Sequence, residues 1–328
     1  MYWKNWLAGI MGVASLSFGC VHYPYYKNTR DTKELPVDVL SDFNHNYYRK
    51  EFVFESERKE IKRDSNYFVE RIKLPESFPL DNLQYSQVSF DYYTPLQRNG
   101  KKPVMIILPI MGGENYPIEE NFARYFTKKG YLCSLVHRKS LKDEIKRIED
   151  IDGVLKQSVS DNKRVVDWLT NQKEVDENKI GVLGISFGAM KGALFLPFEK
   201  RVKAAYLGLC GGDIPYILAH TTEKGLARER DKRLEKRRVS LEGGENFLRE
   251  NIKFDPLEYA QYVDSEKVFL VLASKDKIVP YEKGLELREA MGSPETDVYF
   301  AGHYSSLIYL PFIKRRAFDF FEKKFGEK

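Results

Sequence analysis

Residues Lys179–Pro197 read KIGVLGISFGAMKGALFLP and contain the pattern that decides the fold. The apolar run Lys179–Gly184 predicts a buried strand, and the small residues that follow Ser186 predict the start of a helix. Ser186 is the centre of the pentapeptide Gly184–Gly188, which has the pattern G-x-S-x-G. In such a unit the serine lies on a strained turn with its hydroxyl exposed, and the two glycines have no Cβ to clash with neighbouring chain. Ser186 is therefore the predicted nucleophile.

A carboxylate follows another predicted strand further along the chain. Val268–Ala273 is apolar and β-prone, and Asp276 lies in the polar loop SKDKIVP after it. A carboxylate in this position can orient an imidazole and stabilise its charged form. Asp213 is the alternative, because it follows the strand predicted to end near Leu209. Asp276 is the preferred acid, and Asp213 stays open at this point.

The predicted base is His303. Of the five histidines, it is the one that lies beyond Asp276. It follows a predicted last strand, Asp297–Ala301, and Gly302, which indicates a turn before a C-terminal helix. Nucleophile, acid and base thus occur in the order Ser, Asp, His, which is one of the chain orders in which a catalytic triad is built.

An oxyanion hole is also predicted. The strand Val104–Leu108 leads into the loop Pro109–Gly113. Acyl transfer needs N–H donors for the oxygen that becomes negatively charged. The backbone N–H of Phe187, next to the nucleophile, is one predicted donor. The second is the N–H of Met111 or, alternatively, of Ile110.

The motifs LPIMGG, GISFGA, SKDKIVP and AGHYSS resemble those of the α/β-hydrolases, and the resemblance covers roughly Gln87–Phe325. The chain is similar to the esterase, dienelactone-hydrolase-like and prolyl-oligopeptidase-like branches of that superfamily. This resemblance implies an α/β fold with a mostly parallel, eight-stranded sheet flanked by helices, and no metal or organic cofactor. One departure concerns the oxyanion loop, since Pro109–Met111 stands where many relatives have His-Gly or three glycines.

These residues predict a serine hydrolase that acts on a small-molecule carboxylic ester through an acyl-enzyme. A prolyl-oligopeptidase-like serine peptidase and a thioesterase are the enzymatic alternatives. The non-enzymatic alternative is an envelope lipoprotein that uses the hydrolase scaffold for binding. A formal charge of +5 is modest for a chain of 328 residues, and no groove-reading motif accompanies it, so a nucleic-acid partner is not expected.

The first twenty residues predict export. Lys4 precedes the apolar run Trp6–Phe18, which is shorter than the roughly 20 residues of a membrane-spanning helix and fits the core of a signal peptide. Cys20 follows a glycine, as at a bacterial lipoprotein cleavage site, and would then become a lipidated N-terminus in the cell envelope. Ordinary secretion to the periplasm or beyond, an uncleaved anchor and a buried N-terminal helix are the alternatives. Cys133 and Cys210 are predicted to be buried thiols.

The catalytic core is predicted to comprise residues 87–212 and 257–328. Within it, apolar and amphipathic runs alternate, which favours a parallel sheet. The predicted helices are Pro117–Lys129 and Val154–Asn171, and predicted strands include Tyr131–Val136, Ile180–Leu183 and Val202–Leu209.

Two further segments surround this core. Residues 21–86 are predicted to be an N-terminal extension with leading antiparallel strands at Arg49–Phe54 and Asn66–Leu74. Residues 213–256 are predicted to be a helical cap. Its basic run, Arg228–Arg238, predicts either a helix that projects into solvent or a surface near anionic lipid head groups.

Overall fold

The computed structural model of this chain describes residues 19–25, 32–48, 56–76, 87–97, 100–112, 115–138 and 150–326. Its centre is one sheet of ten strands. In chain order the strands are β1 (Cys20–Tyr23), β2 (Glu57–Arg63), β3 (Tyr67–Glu76), β4 (Gln87–Pro95), β5 (Lys102–Leu108), β6 (Leu132–Val136), β7 (Val175–Ile185), β8 (Val202–Gly208), β9 (Val268–Ala273) and β10 (Glu295–Tyr299). Their spatial order is β1-β10-β9-β8-β7-β5-β6-β4-β3-β2.

Strands β5 to β10 pair in parallel. At one edge β4, β3 and β2 continue the sheet with antiparallel pairs, and at the other edge β1 pairs antiparallel with β10. Parallel pairing requires long crossovers, which here contain helices. As a result, the loops after β5, β7, β9 and β10 meet at the same edge of the sheet, and they contain the residues predicted to be functional.

The helices cover both faces of the sheet. In the described chain they are α1 (Val37–Tyr47), α2 (Pro117–Lys128), α3 (Ile151–Thr170), α4 (Phe187–Phe195), α5 (Ile214–His220), α6 (Lys224–Arg237), α7 (Leu241–Asn251), α8 (Pro256–Tyr259), α9 (Tyr281–Ala290) and α10 (Leu310–Gly326). Residues of α1, α3 and α4 belong to one hydrophobic cluster, and residues of α2 and α10 belong to the other.

Strand β5 shows why the central strands are apolar throughout. Val104, Ile106 and Leu108 pack into the first cluster, whereas Met105 and Ile107 pack into the second. Because alternate side chains of a strand point to opposite faces, a strand covered by helices on both sides has no solvent-facing row. An uninterrupted apolar run is therefore the expected sequence for such a strand.

The predicted α/β class, with a mostly parallel sheet flanked by helices, is confirmed. The sheet has ten strands where eight were expected, because β1 and β2 add one antiparallel strand at each edge. The predicted strand Asn66–Leu74 corresponds to β3, and Arg49–Phe54 lies outside the described residues. The last strand begins at Glu295, slightly before the predicted Asp297.

The predicted cap and the predicted signal peptide differ in how much of each the structure describes. The predicted cap, residues 213–256, contains α5, α6 and α7. Residues 1–18 of the predicted signal peptide lie outside the described residues. Among the helices that are described, none combines the length and the apolar character that a membrane span requires.

Candidate active site

Ser186 lies on the turn between β7 and α4, and its backbone φ is 54°. A positive φ is costly for a residue with a side chain, so the surrounding chain must hold the turn in place. Its N–H donates to the carbonyl of Gly208 on the neighbouring strand, at 2.7 Å. A Cβ on Gly184 would lie 2.4 Å from the carbonyl oxygen of Gly188, and one on Gly188 would lie 2.3 Å from that of Leu108. Glycine is thus required at both positions, because a Cβ there would clash with neighbouring backbone.

His303 lies in the loop after β10, and its ring connects the two other predicted residues. Nε2 is 2.9 Å from Ser186 Oγ, and Nδ1 is 2.7 Å from Asp276 Oδ2. Its side chain is 10% exposed. The structure therefore brings His303 into contact with Ser186, 117 positions earlier in the sequence, and with Asp276, 27 positions earlier.

Asp276 is buried in the loop after β9, and its two oxygens have separate partners. Oδ1 accepts hydrogen bonds from the backbone N–H groups of Ile278 and Val279, at 2.9 and 3.1 Å. This leaves Oδ2 for the imidazole of His303. An ionised carboxylate only accepts hydrogen bonds, so Nδ1 must donate, and Nε2 is then the acceptor that faces the Ser186 hydroxyl.

The predicted oxyanion donors lie in two different environments. Phe187 is the first residue of α4, where an N–H has no acceptor within its own helix. The N–H of Ile110 already donates to Glu119 Oε1, at 2.8 Å. For the Met111 N–H, the described part of the chain contains no acceptor. Of the two alternatives for the second donor, the structure therefore leaves the Met111 N–H available and the Ile110 N–H occupied.

Glu119 and Arg138 hold the predicted oxyanion loop through the backbone N–H and the backbone carbonyl of Ile110. Glu119 lies in the first turn of α2 and is 2% exposed. Burial raises the pKa of its carboxyl above the ordinary value. Arg138, after β6, donates from Nη1 to the Ile110 carbonyl at 3.0 Å. Its guanidinium also lies 4.3 Å from the centre of the Tyr116 ring.

Neither Glu119 nor Arg138 is predicted from the sequence. A glutamate in the first turn of a helix is ordinary, since a negative charge there is favoured by the helix dipole. The available signal was the pattern of α2, in which Glu119 shares the buried face with Phe122, Ala123 and Phe126. A charged residue on an apolar face indicates a partner inside the fold.

Asp213, the alternative acid, lies away from His303 and has a structural role. Its carboxylate accepts two hydrogen bonds from Arg249 of α7, at 2.9 and 3.0 Å, and lies 3.1 Å from Lys283 Nζ. Burial alone would raise the pKa of Asp213, but the bonds from these two cations outweigh it and hold the pKa below the usual value. Asp213 thus attaches the predicted cap to the core.

Apolar side chains of α5 and α7 pack into the first hydrophobic cluster, and polar contacts add to this attachment of the predicted cap. His220 Nε2 lies 2.8 Å from Glu245 Oε2, which connects α5 to α7. Thr222 donates from both its N–H and its hydroxyl to the Lys277 carbonyl, at 3.1 Å each. No residue of α6 is buried. The contact between Thr222 and Lys277 places the start of α6 beside the loop that contains Asp276.

The cysteines have no catalytic surroundings. Cys133 and Cys210 are buried free thiols, as predicted. Burial raises the pKa of Cys133 to about 12. Cys20 is partly buried on β1, where burial and the nearby Asp297 raise the pKa of its thiol to about 12. None of these thiols is poised as a thiolate nucleophile. Within the described ranges, no group of three or more His, Cys, Asp and Glu side chains could hold a metal ion.

Comparison with solved structures identifies proteins of the same architecture. An acetyl xylan esterase from Paenibacillus sp. has a TM-score of 0.61 at 16% identity, over 88% of this chain and 100% of that chain. Acetyl xylan esterase 1 from Thermoanaerobacterium sp. gives 0.58 at 15% identity, over 86% and 99%. The α/β hydrolase GrgF from Penicillium sp. gives 0.55 at 20% identity, over 78% and 99%. No protein-family model and no curated protein sequence matches the chain. The chain has the α/β-hydrolase fold, as its motifs predicted.

Proposed function

We propose that the protein is a serine hydrolase that cleaves carboxylic esters. The observation that carries this proposal is the continuous chain of contacts from Ser186 Oγ to His303 Nε2, 2.9 Å, and from His303 Nδ1 to Asp276 Oδ2, 2.7 Å. A serine hydroxyl is a weak nucleophile unless an adjacent base removes its proton, and this arrangement supplies that base. The esterases of the same fold support the choice of ester as substrate.

Acylation begins with attack of Ser186 Oγ on the ester carbonyl carbon. Its proton passes to His303 Nε2, and Asp276 stabilises the resulting imidazolium. The carbonyl oxygen becomes negatively charged and accepts hydrogen bonds from the N–H groups of Phe187 and Met111. When the tetrahedral intermediate collapses, the carbon–oxygen bond to the alcohol breaks. His303 donates its proton to the departing alcohol, and the acyl group remains on Ser186.

Deacylation reverses the roles of the same groups. A water molecule gives a proton to His303 Nε2 and attacks the acyl carbon. Collapse of the second intermediate breaks the bond to Ser186 Oγ, which takes the proton back from His303. The carboxylic acid leaves, and the original protonation states are restored.

Hydrolysis of p-nitrophenyl acetate, butyrate and palmitate by the purified full-length protein tests this function. Ser186→Ala should lower kcat by at least about 10⁴-fold, because the covalent route is lost. Ser65→Ala, at an exposed turn, is the matched control and should leave kcat unchanged. Full activity of the Ser186→Ala variant would contradict the proposal. A matched amide and a thioester, assayed in parallel, distinguish peptidase and thioesterase activity from ester hydrolysis.

Export to the cell envelope is a second part of the proposal, and it rests on the leader sequence. The apolar run Trp6–Phe18 followed by Cys20 supports attachment of the protein to a membrane, through a lipid on Cys20. The mass of the N-terminal peptide from the membrane fraction of expressing cells tests this directly. A mature chain that begins at Cys20 with added acyl mass is expected, and Cys20→Ser should abolish it. An unmodified N-terminus at Met1 in the soluble fraction would contradict it.

A further inference from the structure

An exposed apolar patch lies between the end of β10 and the first turn of α10. Among the described residues, thirteen large apolar side chains are exposed, and five of them fall within residues 300–312. Of these five side chains, the most exposed are those of Ile308 at 77%, Phe300 at 67% and Tyr304 at 65%. Soluble proteins seldom concentrate large apolar side chains in this way unless the surface binds something. We call this surface the apolar patch; its members are Phe300, Tyr304, Leu307, Ile308 and Phe312.

The apolar patch flanks the candidate catalytic histidine. Phe300 precedes His303 by three residues, and Tyr304 follows it directly. The rings of His303 and Tyr304 meet edge to face, with their centres 5.7 Å apart. Whatever covers the apolar patch is therefore in contact with the rim of the active site.

The N-terminal end of the described chain reaches the same place. The Phe300 N–H donates to the Gly19 carbonyl, at 2.7 Å. A Cβ on Gly19 would lie 3.4 Å from Phe300 Cβ and 3.5 Å from the Tyr309 hydroxyl. The run Trp6–Phe18 comes immediately before Gly19 in the sequence. Cys20 itself pairs with Tyr299, next to Phe300, so an anchor at Cys20 lies beside the apolar patch whether it is this uncleaved segment or a lipid on a chain cleaved before Cys20.

Basic side chains adjoin the apolar patch on the side of the cap. Lys275 and Lys277 are exposed in the loop after β9. Lys275 Nζ lies 5.2 Å from the centre of the Phe300 ring. Thr222, two residues before α6, donates to the Lys277 carbonyl, so the start of α6 lies beside this loop. Helix α6 contains seven Lys and Arg residues against three acidic residues. Apolar side chains bordered by cations match a bilayer that contains anionic lipids.

We propose that the apolar patch docks on an anionic phospholipid bilayer, so that the active site opens at the lipid surface and takes esters dissolved in that surface. The lipid-dissolved substrate rests on the proposed hydrolase function, whereas the docking does not. Phe300, Ile308 and Phe312 enter the acyl-chain boundary, and the lysines beside them and the Lys and Arg side chains of α6 contact the head groups. The proposed anchor at Cys20 holds this face against the bilayer.

Environment-sensitive fluorescence tests the docking without any assay of activity. The full-length protein carries an NBD label on Ile308→Cys and is reconstituted into vesicles of phosphatidylcholine and phosphatidylglycerol in equal parts. The matched control is Val37→Cys, which is 83% exposed at the start of α1 on the opposite face of the sheet. The unsubstituted protein, treated with the label, corrects for Cys20. NBD at position 308 should shift to the blue and be quenched by doxyl-labelled lipids, and NBD at position 37 should do neither.

Two outcomes of this experiment would overturn the proposal. An unshifted emission at position 308 means that the apolar patch stays in water. A blue-shifted emission that doxyl lipids do not quench means that protein covers the apolar patch, such as the residues before Gly19 or a second copy of the chain.

Activity gives the second test. Ile308→Glu and Phe312→Glu should lower hydrolysis of a long-chain ester dissolved in these vesicles by roughly tenfold, since each places a charge where an apolar side chain should enter the bilayer. Hydrolysis of p-nitrophenyl acetate should stay within about twofold, and Val37→Glu should change neither rate. Equal loss on both substrates would contradict a docking role. If the unsubstituted protein hydrolyses neither ester, the proposed function fails while the fluorescence result still decides the docking.

Discussion

The turn at Ser186 and the cap are built in opposite ways. At the turn, Gly184 and Gly188 lie so close to neighbouring backbone that neither position has room for a methyl group. In the predicted cap, α6 buries no side chain, and α7, which buries only Leu248, is also attached through the ion pair between Arg249 and Asp213. Backbone contacts leave Ser186 little freedom to move, as the proposed reaction, which depends on position, requires. Ion pairs depend on pH and salt, so the cap should respond to conditions that leave the turn unchanged.

The largest expected effect distinguishes the two candidate acids. Asp276→Asn should lower kcat for ester hydrolysis by about 10⁴-fold, because an amide favours the wrong tautomer of His303. Asp213→Asn should keep kcat within about threefold, since Asp213 contacts Arg249 and Lys283 rather than the imidazole. Steady-state kinetics on p-nitrophenyl acetate, with circular dichroism to verify folding, provide the measurement. A larger loss from Asp213→Asn would reverse the assignment.

A single methyl group should have different effects in the two regions. Gly188→Ala places a Cβ 2.3 Å from the Leu108 carbonyl oxygen, so the free energy of unfolding should fall by about 3 kcal/mol. Gly243→Ala in α7 meets nothing closer than 3.5 Å and should leave stability unchanged or raise it by up to about 1 kcal/mol. Urea denaturation measures both. Equal destabilisation by the two substitutions would contradict the contrast between the regions.

Glu119 should affect activity through the oxyanion loop. Glu119→Ala removes the acceptor of the Ile110 N–H, and we expect kcat/KM to fall by about tenfold as the loop loses its position. Glu119→Gln keeps an oxygen acceptor, so its kcat/KM should stay within about threefold. Kinetics of the two variants side by side provide the measurement. Loss of the same size in both would mean that the charge, rather than the position of the loop, is what matters.

The pKa of Glu119 gives these variants a second readout. Because burial raises this pKa, the stabilisation that comes from its proton is present below the pKa of the unfolded chain and is lost as pH rises through the folded value. The Glu119→Gln variant should therefore gain stability relative to the wild type between acid and neutral pH. A constant difference across this range would contradict a buried, ionising carboxyl.

The smallest expected effect concerns attachment of the cap. Asp213→Asn should lower the free energy of unfolding by about 1–2 kcal/mol near neutral pH, because the largely buried Lys283 and the exposed Arg249 lose their charged partner. Since the pKa of Asp213 is held below its usual value, its stabilisation is present above the unfolded pKa and lost as pH falls through the folded pKa. Thermal denaturation should show the difference shrinking in acid. A difference that grows in acid would contradict the ion-pair account.

The sequence predicts those parts of this molecule in which the residue types at successive positions fit only one kind of structure. Strand β9 has the predicted bounds Val268–Ala273. An apolar, β-prone run of this length bordered by polar residues is typical of a buried strand. Strand β2, with the sequence ERKEIKR, was missed because all seven residues are exposed and nothing alternates. Such a strand is specified by pairing with β3 rather than by burial, and its charges are typical of an edge.

The site shows the same limit. Ser186, Asp276 and His303 follow strands in an order that the sequence displays, so they could be proposed together. Glu119 could not be, since its role depends on the Ile110 N–H nine positions away, across a turn that no local pattern specifies. The choice between Asp276 and Asp213 needed the positions of Arg249 and Lys283, which only the folded chain brings together.

Labelling with a fluorophosphonate probe, followed by peptide mass analysis, tests the central claim most directly. The probe phosphonylates a serine only where a base activates the hydroxyl and donors stabilise the new oxyanion. We expect one adduct, on the peptide that contains Ser186. We expect no adduct at that position in Ser186→Ala, nor in His303→Ala at the same probe concentration and labelling time. A folded wild-type protein that stays unlabelled, or that is labelled at another serine, would contradict the claim that these residues form a working triad.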